Sequence, residues 1–212
     1  MKLIILLFLV KLCFAADPDP ALKTYLEAIR NDPGDYSTCN MIGLWYVNHN
    51  DPGQAGEYFS RALTLNNNYY EGCFNMGLLL YHQNKVVEAL PYFKRAFSIS
   101  KNADIYVVLI NCFIKLNNID FASRTLEEAM KSYKDNHKLL NTAGVIELYK
   151  NNYTKAREYF SSAYKIKEDS KTRNNLAIAE YLSGNKENAK QTLKSLKKDL
   201  KLFNENFELI NK

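Results

Sequence analysis

Glycine and proline are scarce, at 8 and 5 residues of 212. Collagen-like and low-complexity chains need several times more of both, so those classes are excluded. Histidine is scarcer still: His49, His82 and His137 are the only three. None has a cysteine or carboxylate partner at metal-ligand spacing, so no metal centre is expected. There is no glycine-rich phosphate loop, and no nucleophile stands beside a base with a third, orienting group. Neither a catalytic residue nor a cofactor is expected. Apolar runs are short, the longest at the start being Leu3 to Val10, and a bilayer-spanning helix needs about 20 such residues. Charge of one sign is also lacking. The formal net charge is +5, which is mild for a chain of this size. It is unevenly spread: residues 17–106 carry 7 Lys/Arg against 10 Asp/Glu, and residues 107–212 carry 19 against 13. What remains is 47% apolar residues, ample for a packed core.

The first sixteen residues have a routing layout. A lysine at position 2 precedes the eight-residue apolar run, and Cys13-Phe14-Ala15-Ala16 leads into the acidic, proline-rich Asp17-Pro18-Asp19-Pro20. A short positive start, an apolar run of this length and small residues before a polar stretch define a secretory signal. Cleavage after Ala15 places Cys13 at the third residue before the cut, whereas cleavage after Ala16 places bulky Phe14 there. Residues 1–15 are therefore expected to be a signal peptide, with the protein exported: to the periplasm or medium of a bacterium, or along a eukaryotic secretory pathway. Lipid attachment at Cys13 is the alternative, but the preceding Val10-Lys11-Leu12 fits a lipoprotein signal poorly.

Exported proteins commonly use disulfides. The remaining cysteines, Cys39, Cys73 and Cys112, are odd in number. Cys39 and Cys73 fall at equivalent places of adjacent repeats (below), one helix spacing or ~8–10 Å apart, beyond the ~7 Å reach of a disulfide. Buried thiols are expected.

Self-similarity organises everything else. Alanine recurs at positions 21, 55, 89, 122, 156 and 189, and again at 28, 62, 96, 129 and 163, with Leu196 closing the second series. Eleven of those twelve sites are alanine, where the composition of the chain would place about one. Between the two columns runs a large apolar one: Tyr25, Phe59, Phe93, Leu126, Phe160, Leu193. Ala55, Phe59 and Ala62 lie at i, i+4 and i+7, one face of a helix. A preceding helix carries Cys39, Ile42, Gly43 and Tyr46, a stripe repeated as Cys73, Met76, Gly77, Leu80 and as Tyr106, Leu109, Ile110, Phe113. Turn residues punctuate both helices in register, among them Asn50-Asp51, Asn84-Lys85, Asn117-Asn118, Asn151-Asn152 and Gly184-Asn185. Each unit is helix, turn, helix, turn.

A unit of 33–34 residues with Gly43, Tyr46, Ala55, Phe59 and Ala62 at these places resembles the tetratricopeptide repeat. Gly77, Ala89, Phe93 and Ala96 repeat the match, as do Gly144, Ala156, Phe160 and Ala163. Ile110 departs from it where a small residue is usual, as do Arg173 and Leu196. The resemblance implies an all-α chain, a right-handed α-solenoid of helix–turn–helix units. The expected organisation of residues 16–212 is a half-repeat at 18–35, then repeats at 36–69, 70–102, 103–136, 137–169 and 170–202. A C-terminal capping segment at 203–212 completes the amphipathic pattern Leu196, Leu200, Phe203, Phe207, Ile210. No single unit can cover both its faces, so stacking is obligatory.

The same resemblance implies a binding module whose first helices line a concave groove for a protein or peptide partner. The residues one step around from the packing stripe are Asn40, Leu44 and Val47; Phe74, Leu78 and Tyr81; Val107, Asn111 and Ile114; Asn141, Val145 and Leu148; Asn174, Ile178 and Tyr181. The asparagines are the most telling, because an amide can both donate to and accept from a peptide backbone. Some family members hold a C-terminal carboxylate with basic groove residues; those places carry Asn, Phe or Val here, so that activity is not implied. The lysines at 186, 190, 194, 197, 198 and 201 read as a solvated helix face, and nucleic acid is not an expected partner. The alternative is a structural subunit of an envelope complex, engaged through the convex face or that basic end. Asn152-Tyr153-Thr154 is a glycosylation sequon, meaningful only in a eukaryotic secretory pathway.

Overall fold

The computed structural model describes residues 19–194, and the expected signal peptide and C-terminal cap both lie outside them. Eleven helices are present among the described residues, with no strand. They are α1 (Pro20–Asn31), α2 (Tyr36–Asn48), α3 (Pro52–Leu65), α4 (Tyr70–His82), α5 (Val86–Ile99), α6 (Ala103–Lys115), α7 (Ile119–Tyr133), α8 (His137–Tyr149), α9 (Tyr153–Ile166), α10 (Ser170–Leu182) and α11 (Lys186–Lys194). The chain forms two compact units, the first ending at Leu79 and the second beginning at Leu80. The fold class is all-α, built from helix–turn–helix repeats of the solenoid type.

One turn chemistry recurs at the end of every first helix. Asn50, Asn84, Asn117 and Asn151 have φ of 57°, 63°, 55° and 60°, and Gly184 has 88°. Asparagine and glycine are the residues that enter this left-handed region most readily. The reversal closes the helix with paired hydrogen bonds. Asn118 N donates to Phe113 O at 2.8 Å and Asn117 N to Ile114 O at 2.9 Å; the same pair recurs at Asn50-Asp51, Asn84-Lys85, Asn151-Asn152 and Gly184-Asn185. Several helices start on side-chain caps, although α5 and α9 do not. Asp51 accepts from Gln54 N, Asn118 from Phe121 N, Asn136 from Leu139 N and Asp169 from Thr172 N. These caps satisfy amides that an isolated helix start would leave without partners.

In each unit the alanine columns form the seam. Ala55, Ala62, Ala89, Ala96, Ala122, Ala129, Ala156, Ala163 and Ala189 are fully buried. Opposite them the first helix is thinned to admit one aromatic ring. A methyl group on Gly43 would sit 2.5 Å from the Phe59 ring, and one on Gly144 would sit 2.5 Å from Phe160. Where Ile110 replaces the glycine, the partner sixteen residues on is Leu126 instead of phenylalanine, and both join one cluster with Ala122 and Ile146. Likewise Ala177 packs with Leu193. The departures from the repeat pattern are paired volume exchanges, the kind of change that a close-packed core tolerates best. Arg173, a second departure, lays its guanidinium 4.7 Å from the Tyr164 ring and 3.9 Å from Glu168, and the third, Leu196, lies outside the described residues.

Helix α1 departs in detail from the column pattern. Ala21 is exposed and Ala28 half-buried, while Leu22 and Ile29 are buried in a cluster with Cys39, Ile42 and Ala62. The half-repeat therefore turns its bulkier neighbouring residues onto α2. Its alanines meet no described first helix that would need their small size.

Cys39, Cys73 and Cys112 are buried, and no disulfide is formed among the described residues. Burial pushes the Cys112 thiol up to about 12, against the pull of Lys115. The Cys73 thiol donates to Asn67 O at 3.9 Å. Each acts as a small packing group.

Candidate functional site

The first helices place the fifteen candidate residues at graded depths. In the first unit, Asn40 on α2 is buried, Leu44 is half-buried and Val47 exposed; Phe74 and Leu78 on α4 are half-buried. Phe74 stacks on Tyr70 with ring centroids 5.7 Å apart. In the second unit, Tyr81 is half-buried beneath the Lys115 ammonium, 4.3 Å from the ring centre. Val107, Asn111, Asn141, Val145, Leu148, Ile178 and Tyr181 are half-buried as well. Ile114 and Asn174 are buried. Ile114 belongs to the core cluster of α6–α8 and has little surface to offer a partner.

Two of the asparagines are tied to the next first helix. Asn75 Nδ2 donates to Asn40 Oδ1 at 2.9 Å, and Asn175 Nδ2 donates to Asn141 Oδ1 at 3.0 Å. These amide bridges repeat the stacking register in polar form and fix the flank of each pair of first helices. They occupy an acceptor of Asn40 and of Asn141 within the fold.

Four of the candidates come together. Val107, Asn111, Asn141 and Val145 line a cleft of about 380 Å³ that also includes His137, Lys138, Lys167, Lys171, Asp169 and Thr142. It sits where α6, α8 and the start of α10 run side by side. Its apolar floor comes from the two valines and its polar wall from amides and ammonium groups, the mixture typical of sites that orient a ligand. Lys138 Nζ reaches Asp104 Oδ1 at 2.7 Å. The His137 imidazole is held below its ordinary value by burial first and by Lys167 and Lys138 next, with Asp169 and Asp104 pulling the other way. Burial pushes the Asp169 carboxyl up, but hydrogen bonds from Thr172 and the nearby His137 outweigh it and leave it below the usual carboxylate range.

The basic members of this cleft are not among the fifteen candidates. Lys138 and Lys171 are second residues of successive first helices, and Lys167 caps the end of α9. Each alone reads as a solvated charge. The signal that finds them is the repeat itself: Asp104, Lys138 and Lys171 recur at steps of 34 and 33, so stacking brings them to one place.

Among the described residues, no group of three or more His, Cys, Asp or Glu side chains is arranged to hold a metal ion. No described helix is long and apolar enough to cross a membrane.

Comparison with known proteins gives a consistent result. Tetratricopeptide repeat family models match residues 40–103 and 80–142. No curated protein matches the sequence. Among solved structures, the APC/C hetero-tetramer Cut9–Hcn1 contains a chain that superposes with a TM-score of 0.76 at 19% identity, over 83% of this chain and 36% of that one. YrrB, described as a TPR protein with an unusual peptide-binding site, gives 0.62 at 16% identity, covering 88% and 99% of the two chains. PilW, described as a widely conserved type IV pilus biogenesis factor, gives 0.77 at 16% identity over 88% and 89%. At these identities the likeness is one of fold.

Proposed function

Because the chain belongs to the tetratricopeptide repeat family, we propose that it is an exported, non-catalytic interaction module. It binds an extended partner segment along the face of its first helices, as a scaffold or assembly factor. The observation supporting this reading is the cleft in which Val107, Asn111, Asn141 and Val145 meet. Two valines offer a partner side chain an apolar seat, and two amides stand beside it to meet the partner's backbone. Both amides are half-buried, and an amide can donate to and accept from a peptide backbone. Export rests on the layout of the first sixteen residues. YrrB and PilW lend fold-level support, since one is described by a peptide-binding site and the other by a role in pilus assembly.

Calorimetric titration of the captured partner segment tests the reading. Asn111→Ala should weaken binding by about 1–3 kcal/mol through loss of a buried hydrogen bond, with little change in thermal stability. Asn141→Ala should weaken binding too, and should also lower stability, because Asn175 loses the acceptor 3.0 Å away. Unchanged affinity in both variants, with binding lost on Lys190→Glu and Lys194→Glu, would move the site to the basic end of the chain.

A further inference from the structure

The polar wall of the cleft carries more charge than a neutral peptide backbone requires. Lys138, Lys167 and Lys171 line it, against one lining carboxylate, Asp169. That carboxylate is already engaged at the start of α10, accepting from Thr172 N at 2.8 Å and from Thr172 Oγ1 at 2.7 Å. Lys138 shares its charge with Asp104, which lies outside the lining. The surplus is positive, and an imidazole lines the same cleft. His137 is faced by Lys138 on its own helix, by Lys167 from the end of α9, by Asp169 before α10, and by Asp104 from the start of α6.

Building on the first-helix reading, we propose that this cleft seats a side-chain carboxylate of an acidic partner segment, and that His137 takes up a proton from solvent as the carboxylate arrives. Charge complementarity selects the occupant, since three exposed lysines line the cleft against one carboxylate that is already engaged. The coupling follows from sign. Partial burial, and after it the charges of Lys167 and Lys138, disfavour the imidazolium in the empty cleft. A carboxylate placed among the same lysines reverses the local field, so the charged ring becomes favoured. Binding then takes up a fraction of a proton, and affinity rises as pH falls through the imidazole range. The rise ends near pH 4, where the partner's carboxylate itself protonates.

The probes are an end-capped peptide of glutamates and a matching one of glutamines, titrated into the purified, isotope-labelled chain and followed by NMR. The glutamate peptide should shift the amides of Asn111, Asn141 and Thr142 saturably, and the glutamine peptide should not. Its Kd should fall about three- to tenfold between pH 7.5 and 5.5, the range set by uptake of about a quarter to half a proton on average. Saturation should raise the midpoint of the His137 ring titration. His137→Gln should flatten the pH profile, while Lys171→Ala should weaken binding at both pH values. Equal binding of the two peptides in the cleft would overturn the proposal and leave the first-helix reading standing. A flat profile for the unsubstituted chain, or an unmoved His137 midpoint, would also overturn it. Inorganic phosphate giving the same shifts at equal strength would overturn the assignment to a partner carboxylate. Shifts confined to other surfaces would overturn both readings.

Discussion

Gly144 shows how tightly single side chains are specified. The space beside it is filled by the Phe160 ring, 2.5 to 2.7 Å from where a Cβ would stand. Gly144→Ala gains helix propensity, worth about 1 kcal/mol, but must displace a fully buried ring. Overpacking of this kind costs about 1–3 kcal/mol. The Ile110–Leu126 pair shows the compensation the fold already uses. Phe160→Leu alone should destabilise by leaving a void, yet combined with Gly144→Ala it should recover part of the loss. Urea unfolding of the two single variants and the double variant checks this. Additive losses would show that the two positions are not a volume pair. Taken column by column, Ile110 is only a local departure. The exchange becomes visible only across the sixteen residues that separate partners.

The helix–turn–helix elements were legible because their signals are chemical and local. Asn117 holds a left-handed conformation at φ 55° and stands in a turn already marked by the sequence as Asn117-Asn118. Asn117→Ala should cost up to about 1 kcal/mol, because alanine lacks the short polar side chain that eases asparagine's own Cβ in that region, whereas Asn117→Gly, with no Cβ, should stay within about 0.5 kcal/mol. Chemical denaturation of both variants decides; equal losses would mean that the side chain, and not the backbone, sets the turn. Helix α1 was less legible. Its alanines align with the columns, but the face it buries is set by Leu22 and Ile29 against α2. Which neighbour a terminal helix meets is a tertiary fact that periodicity does not carry.

At the scale of the molecule, the repeat predicted stacking, and the proposed partner face carries more charge than spacing alone suggests. Residues one step around from the core stripe were easy to identify by spacing. Lys138, Lys167 and Lys171 were not, since each lies at a helix terminus where charge is ordinary; only stacking at 33–34-residue steps gathers them beside Asn111 and Asn141. The same stacking consumes some of what the sequence offered: Asn40 and Asn141 each accept from the next first helix, and Ile114 is buried in the core.

Site-specific photo-crosslinking in the native host tests the binding face most directly. A photoreactive residue replaces Val107 or Val145, both in the cleft, or else Lys94 or Glu127, exposed on second helices. Adducts to one partner from the two cleft positions, absent from the other two, are the predicted result. Adducts from positions 94 and 127 with none from 107 and 145 would contradict it and place recognition on the opposite surface.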